Sequence, residues 1–115
     1  MRDDIWIQHE GEDYNIFVLL GADPLDVDDD NVDVEVRFKS GLWYRATFFT
    51  IRNIQSLFDK NKRTGECGGG LYFNCGDMII VEELTQKAII DTIRDLIARK
   101  ELEKAFLPLK EQEAS

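Results

Sequence analysis

Two cysteines, two prolines and one histidine are the whole supply, in 115 residues, of the groups that most often build disulfide frameworks, rigid turns and imidazole chemistry. Cys67 and Cys75 stand eight positions apart without a C-x-x-C pair, and the sole histidine, His9, lies at the other end of the chain, so no Cys/His zinc site is specified. A cysteine nucleophile would lack a nearby base for the same reason. Two thiols are too few for a secreted disulfide framework, and the expectation is two reduced, ordinary thiols in the cytoplasm, with a disulfide as the alternative under oxidising conditions. No stretch approaches the roughly 18 continuous apolar residues that suggest a membrane span. The opening MRDD lacks the charged-then-apolar layout of a signal peptide, which again points to the cytoplasm. Bases are scarcest of all where acids concentrate: residues 1–35 hold 12 acidic side chains and one base, Arg2, while residues 36–115 hold 13 bases and 11 acids. The formal charge of -9 therefore belongs to the first third of the chain. An acidic surface of this kind disfavours direct binding to nucleic acid phosphates and to anionic lipid.

What the sequence does contain, 43% hydrophobic and 10% aromatic residues, suits one globular domain over residues 1–115 with a core that needs no metal. Residues 5–9 and 14–20 read as two strands joined by a turn at Gly11, Glu12 and Asp13. Residues 21–31, GADPLDVDDDN, carry five aspartates, no base and no sustained periodicity, and read as an acidic surface loop.

The alternation in residues 32–39 is strict: Val32, Val34, Val36 and Phe38 are apolar, and Asp33, Glu35, Arg37 and Lys39 are charged. The following segment, 42–49, supplies the partner strand, and its register is set by the loop. A two-residue turn at Ser40 and Gly41 would oppose Val36 to Arg45 and Val34 to Thr47, mixing polarity on both faces. A three-residue loop with Gly41 left-handed instead sets Phe38 against Leu42, Val36 against Tyr44, Val34 against Ala46 and Val32 against Phe48. The outer face then pairs Glu35 with Arg45, Asp33 with Thr47 and Arg37 with Trp43. This second register matches polarity throughout and is the one expected.

Thr50 can cap a short helix in which Ile51, Ile54, Leu57 and Phe58 share a face, with Lys60, Lys62 and Arg63 near its end and Gly65 to terminate it. Residues 71–74 and 77–81 read as a hairpin around Cys75 and Gly76. Thr85 can cap a long final helix striped by Ile89, Ile93, Leu96 and Ile97 that stops at Pro108, leaving a polar tail, 109–115. This order predicts an α+β fold: a mainly antiparallel sheet of about six strands with a short and a long helix packed on one face.

Few patterns here specify chemistry. An EF-hand reading from Asp26 would use Asp28 and Asp30, but Asn31 replaces the required glycine and Arg37 the final glutamate. In TGECGGG, Gly65 and Gly70 have a Walker-type spacing, yet Leu71 and Tyr72 stand where Lys and Ser or Thr belong. A flexible connection explains that segment better than a phosphate cradle. Glu82 and Glu83 precede a helix, where negative charge complements the dipole. Trp43, on the polar face beside Arg37, Glu35 and Arg45, is either a cover for neighbouring aliphatic stems or an interface anchor. No cofactor or metal is expected, and no catalytic constellation emerges.

A concentrated negative field is suited to a positively charged partner, whose approach it accelerates and orients. The acidic stretch GADPLDVDDDNVDVE and the aromatic segment LWYRATFFT, in a chain of this size and α+β pattern, resemble in kind the small acidic immunity proteins of bacteria that neutralise toxin domains, including those of contact-dependent growth inhibition. The resemblance implies a cytoplasmic, non-catalytic inhibitor of a basic toxin domain, with a nuclease as the natural target. Asp26, Asp28, Asp29, Asp30, Asp33 and Glu35 are the expected contacts to basic groups, with Trp43 and Arg45 anchoring the adjacent surface. The competing expectation is a regulatory or housekeeping interaction domain, a homodimer through exposed sheet edges, in which the acidic loop serves solubility.

Overall fold

The structure, a computed structural model, describes residues 4–10, 13–20, 24–73 and 76–109, with the backbone alone for 4–10 and Cys67. Gly11 and Glu12 of the first turn, residues 21–23 of the acidic loop, Cys75 and residues 110–115 of the tail lie outside the described residues. The chain runs β1 (Asp4–Glu10), β2 (Tyr14–Leu20), β3 (Asn31–Phe38), β4 (Trp43–Thr50), α1 (Ile51–Thr64), α2 (Glu66–Gly70), β5 (Met78–Val81), α3 (Gln86–Ala98), α4 (Leu102–Ala105) and β6 (Leu107–Pro108). It is an α+β fold built on a sheet of order β1-β2-β3-β4-β5, in which β6 also joins β4.

The first four strands are antiparallel neighbours. Between β3 and β4 the register is the polarity-matched one: Val36 faces Tyr44, Val34 faces Ala46, Val32 faces Phe48, and on the other side Glu35 faces Arg45, Asp33 faces Thr47 and Arg37 faces Trp43. Gly41 turns the chain at φ 105°, and the Phe38 amide closes the loop on the Leu42 carbonyl at 2.9 Å. A side chain at Gly41 would resist that backbone conformation, and the register would lose its anchor.

The valines of β3, with Ile16 and Val18 of β2 and Tyr44, Ala46 and Phe48 of β4, form one face of the core; Leu84, Ile89, Ile93, Leu102 and Phe106 close over it. That hydrophobic layer is why α3 and α4 lie where they do: a sheet face this apolar must be covered. Thr85 caps α3 by accepting from the Ala88 amide at 3.0 Å.

Three features differ from the sequence expectation. Residues 71–73 form no strand, and the apolar run of β5 pairs in parallel with Thr47, Phe48, Phe49 and Thr50 of β4. The reason is topological: α1 and α2 carry the chain from the end of β4 back to its free edge, and a strand reached by such a crossover arrives parallel. The glycine-rich segment is not a loose connection but the turn α2, in which Gly68, Gly69 and Gly70 have φ of 65°, 71° and 84°. Gly70 packs so tightly on α1 that a Cβ there would lie 2.4 Å from Lys62 Cγ and 3.0 Å from the Phe58 carbonyl oxygen. Finally, the last helix is broken. Lys100 sits at φ 58°, its amide bonding the Ile97 carbonyl and the Glu101 amide bonding the Leu96 carbonyl, a Schellman ending without the usual glycine. After this turn α4 redirects the chain so that β6 pairs antiparallel with Tyr44 and Arg45.

Candidate functional site

The face of the sheet turned away from α3 carries most of the unusual chemistry. Glu35, at the centre of β3, is 3% exposed. An ionised carboxylate so deeply covered must have its charge matched. Arg37 reaches Oε1 through Nε at 2.8 Å and Nη2 at 2.7 Å, while Arg45 reaches Oε2 through Nε at 3.1 Å and Nη2 at 2.5 Å. Burial alone would push the Glu35 carboxyl up; the hydrogen bonds from Arg45 and Arg37 outweigh it and hold the group below the ordinary glutamate range. The same hydrogen bond keeps Arg45 more firmly protonated than a free guanidinium.

Arg37 is also fixed from its sides. Its guanidinium carbon lies 4.1 Å from the ring centroid of Phe17 and 4.1 Å from that of Trp43. A planar cation held by two aromatic rings and a carboxylate has little rotameric freedom left. Next along the face, the Thr47 hydroxyl donates to Asp33 Oδ1 at 2.8 Å. The far edge of β4 is occupied where Trp43 stands, because the Leu109 amide donates to the Trp43 carbonyl at 2.8 Å. Asp33, Glu35, Trp43 and Arg45 are therefore brought together as expected. Arg37 and Phe17 complete the group and were not singled out from sequence. The Arg37 to Trp43 pairing was available in the β3–β4 register; the stacking on Phe17 required the β2–β3 register, which opposes Phe17 to Glu35.

The acidic loop is a second group, at the start of β3. Its described part is internally tied. Asp26 Oδ1 accepts from the amides of Asp28 and Asp29 at 3.0 and 3.3 Å, and Asp30 Oδ2 accepts from the Asp26 amide at 2.9 Å. Asp29 holds the loop to α1 by accepting from Asn53 Nδ2 at 3.1 Å and from the Ser56 hydroxyl at 3.0 Å. Thr50, fully buried, joins the two elements: its hydroxyl caps α1 on the Asn53 amide at 3.0 Å and receives the Asp30 amide at 3.2 Å. The Val27 carbonyl receives the Leu84 amide at 2.8 Å, which fastens the loop to the start of the α3 region.

These bonds divide the four aspartates by role. Asp26, Asp29 and Asp30 shape the loop, whereas the exposed Asp28 side chain lines a surface groove with Ile51, Arg52, Gln55, Ser56, Asp59 and Glu82. The donors to Asp26, Asp29 and Asp30 are neutral amides and a hydroxyl, so none of these contacts is an ion pair. Among its described residues the loop thus offers one unengaged acidic side chain, Asp28, within a concentrated negative field.

Among the described residues, no group of three or more His, Cys, Asp or Glu side chains is placed to hold a metal ion, and no helix is long and apolar enough to cross a membrane. Comparison with known proteins returns no match to a protein-family model, to a curated protein or to a solved structure.

Proposed function

We propose that this chain is a binding protein that neutralises a basic protein domain, of the toxin class and with a nuclease as the natural target, by presenting its acidic loop to the cationic surface that would otherwise receive phosphate. The observation that carries the reading is the loop itself: the carboxylates of Asp26, Asp29 and Asp30 are tied to the loop backbone and to Asn53 and Ser56, Thr50 receives the Asp30 amide, and Asp28 is left facing outward, in a chain of net charge -9. A field of fixed geometry raises encounter rates with a cationic partner and selects its orientation.

The loop's internal bonding dictates the variant that tests this. Reversing Asp29 or Asp30 would dismantle the loop, whereas Asp28→Lys changes its charge without removing a structural side-chain acceptor. In association kinetics with a basic toxin domain encoded beside this chain's gene, Asp28→Lys should slow binding several-fold and flatten the salt dependence, with the unfolding midpoint unchanged. Growth rescue by the wild-type chain when that domain is expressed supports neutralisation. Unaltered binding by Asp28→Lys rejects the acidic-loop interface.

The face bearing Phe17, Arg37, Trp43 and Arg45, with Leu107 exposed at its edge, favours one other reading, an interaction domain that self-associates through this face. Sedimentation across a concentration series separates the two, since self-association predicts a dimer that Arg45→Glu disrupts.

A further inference from the structure

At the end of β3 far from the acidic loop, the core opens to solvent. Between the β3–β4 turn and the helix break at Lys100 lies a pocket of about 290 Å³, walled by Phe38, Leu42 and Tyr44 of the hairpin and by Ile97 and Leu102 of α3 and α4. The exposed Ser40, Lys100 and Glu103 complete its lining. An apolar cavity of about 150 Å³ takes up a benzene ring, so this space suits one ring with a short substituent. The Phe38 and Tyr44 rings already meet edge to face on its wall, with centroids 5.9 Å apart and planes at 87°. Such a pair favours a third ring over an aliphatic chain, because ring faces and edges carry opposite partial charge.

Tyr44 adds a polar requirement. It is only 9% exposed, yet among the described residues its hydroxyl has no hydrogen-bond partner. A buried tyrosine hydroxyl ordinarily has one, since leaving it without costs the full desolvation of the group. Glu35 and Thr50, the other buried polar side chains of β3 and β4, are both engaged. Because Tyr44 lines the pocket, its missing partner can come from an occupant. The exposed lining carries one cation, Lys100, and one anion, Glu103, and so favours neither an acid nor an amine.

We infer that this pocket binds a small uncharged aromatic molecule of the phenol class, its ring against Phe38, Leu42 and Leu102 and its hydroxyl bonded to that of Tyr44. The probes are phenol, benzene, benzoate and benzylamine, each titrated into the full chain and followed by nuclear magnetic resonance. Phenol should shift the methyl signals of Leu42, Ile97 and Leu102 and bind about fivefold more tightly than benzene, with benzoate and benzylamine weaker than phenol. Tyr44→Phe should keep benzene binding, abolish the advantage of phenol, and leave the unfolding midpoint of the free chain no lower, because the hydroxyl has no bond to lose. Leu42→Asp, at an exposed position, should weaken phenol and benzene alike. Equal binding of phenol and benzene means that water satisfies the hydroxyl, and overturns the inference. So do a phenol advantage that survives Tyr44→Phe, tighter binding of either charged probe, or no shift at the three methyl-bearing residues. A midpoint lowered by Tyr44→Phe shows the hydroxyl already bonded and overturns it as well. The proposed function, which rests on the acidic loop, stands or falls separately.

Discussion

Replacing Glu35 by glutamine tests how the open face is held together. The side chain keeps its size but retains one acceptor oxygen, so one guanidinium keeps a neutral partner and the other meets an amide donor. Hydrogen bonds to charged groups contribute about 1.5–3 kcal/mol each, and a buried charge deprived of its partner costs about 3–5 kcal/mol. Arg45, whose side chain is 40% exposed, turns to solvent and softens the loss, whereas Arg37, at 25%, is fixed between Phe17 and Trp43 and has less room to move. A destabilisation of about 3 kcal/mol is expected at neutral pH. Urea unfolding followed by far-ultraviolet circular dichroism measures it, and a double-mutant cycle with Arg45→Ala apportions it. The pH dependence supplies a second check. The Glu35 carboxyl is held below its unfolded value, so its stabilisation is complete above about pH 4.5 and is lost as the pH falls further, through the lowered folded value. Glu35→Gln has no such proton to gain, and the gap between the two proteins should narrow in acid. A loss under about 1 kcal/mol at neutral pH, or a gap that stays constant into acid, refutes the account.

Other expectations concern the backbone. Lys100→Gly relieves a left-handed residue at the end of α3 and should stabilise by about 1 kcal/mol, raising the melting temperature by roughly 5 °C in calorimetry; an unchanged or lower value contradicts strain at that position. Gly70→Ala should cost at least about 2 kcal/mol, because it meets Lys62 and the Phe58 carbonyl, while Gly69→Ala, with nothing within 4 Å, should cost only about 1 kcal/mol for its positive φ. Equal losses for the pair on chemical denaturation mean the packing against α1 is not as described. Thr50→Val removes the cap of α1 and the acceptor for the Asp30 amide; a loss of about 2 kcal/mol is expected, together with faster hydrogen exchange at Asp30 and Asn53.

The β3–β4 register was legible in the sequence because three signals agreed: strict alternation in β3 with polarity matched across to residues 42–49, a glycine at the one loop position requiring positive φ, and opposite charges at Glu35 and Arg45. Both helix caps were legible for a similar reason, since Thr50 and Thr85 each precede an apolar period. The direction of β5 was not, because a run such as Met78–Val81 reads the same whether reached by a tight turn or by a crossover. Nor was the break at Lys100, where a lysine holds a conformation normally signalled by glycine. The aspartates of the loop show the limit most clearly. Composition announces their charge, but which carboxylate binds backbone, which binds Asn53 or Ser56 and which lines a groove depends on the fold around them.

The tethering of the acidic loop bears on the kinetics of anything it meets. Because Asp26, Asp29 and Asp30 already fix residues 26–30 against their own backbone and α1, recognition of that described part does not require it to order itself first, and its ordering cost falls outside the binding step. Encounter then becomes a single event between two preorganised surfaces. Its rate is governed by diffusion and the field between them, and should rise linearly with partner concentration with no saturating conformational phase. Residues 26–30, in the kind of segment usually regarded as the softest part of a small domain, here have the kinetic character of a preformed template.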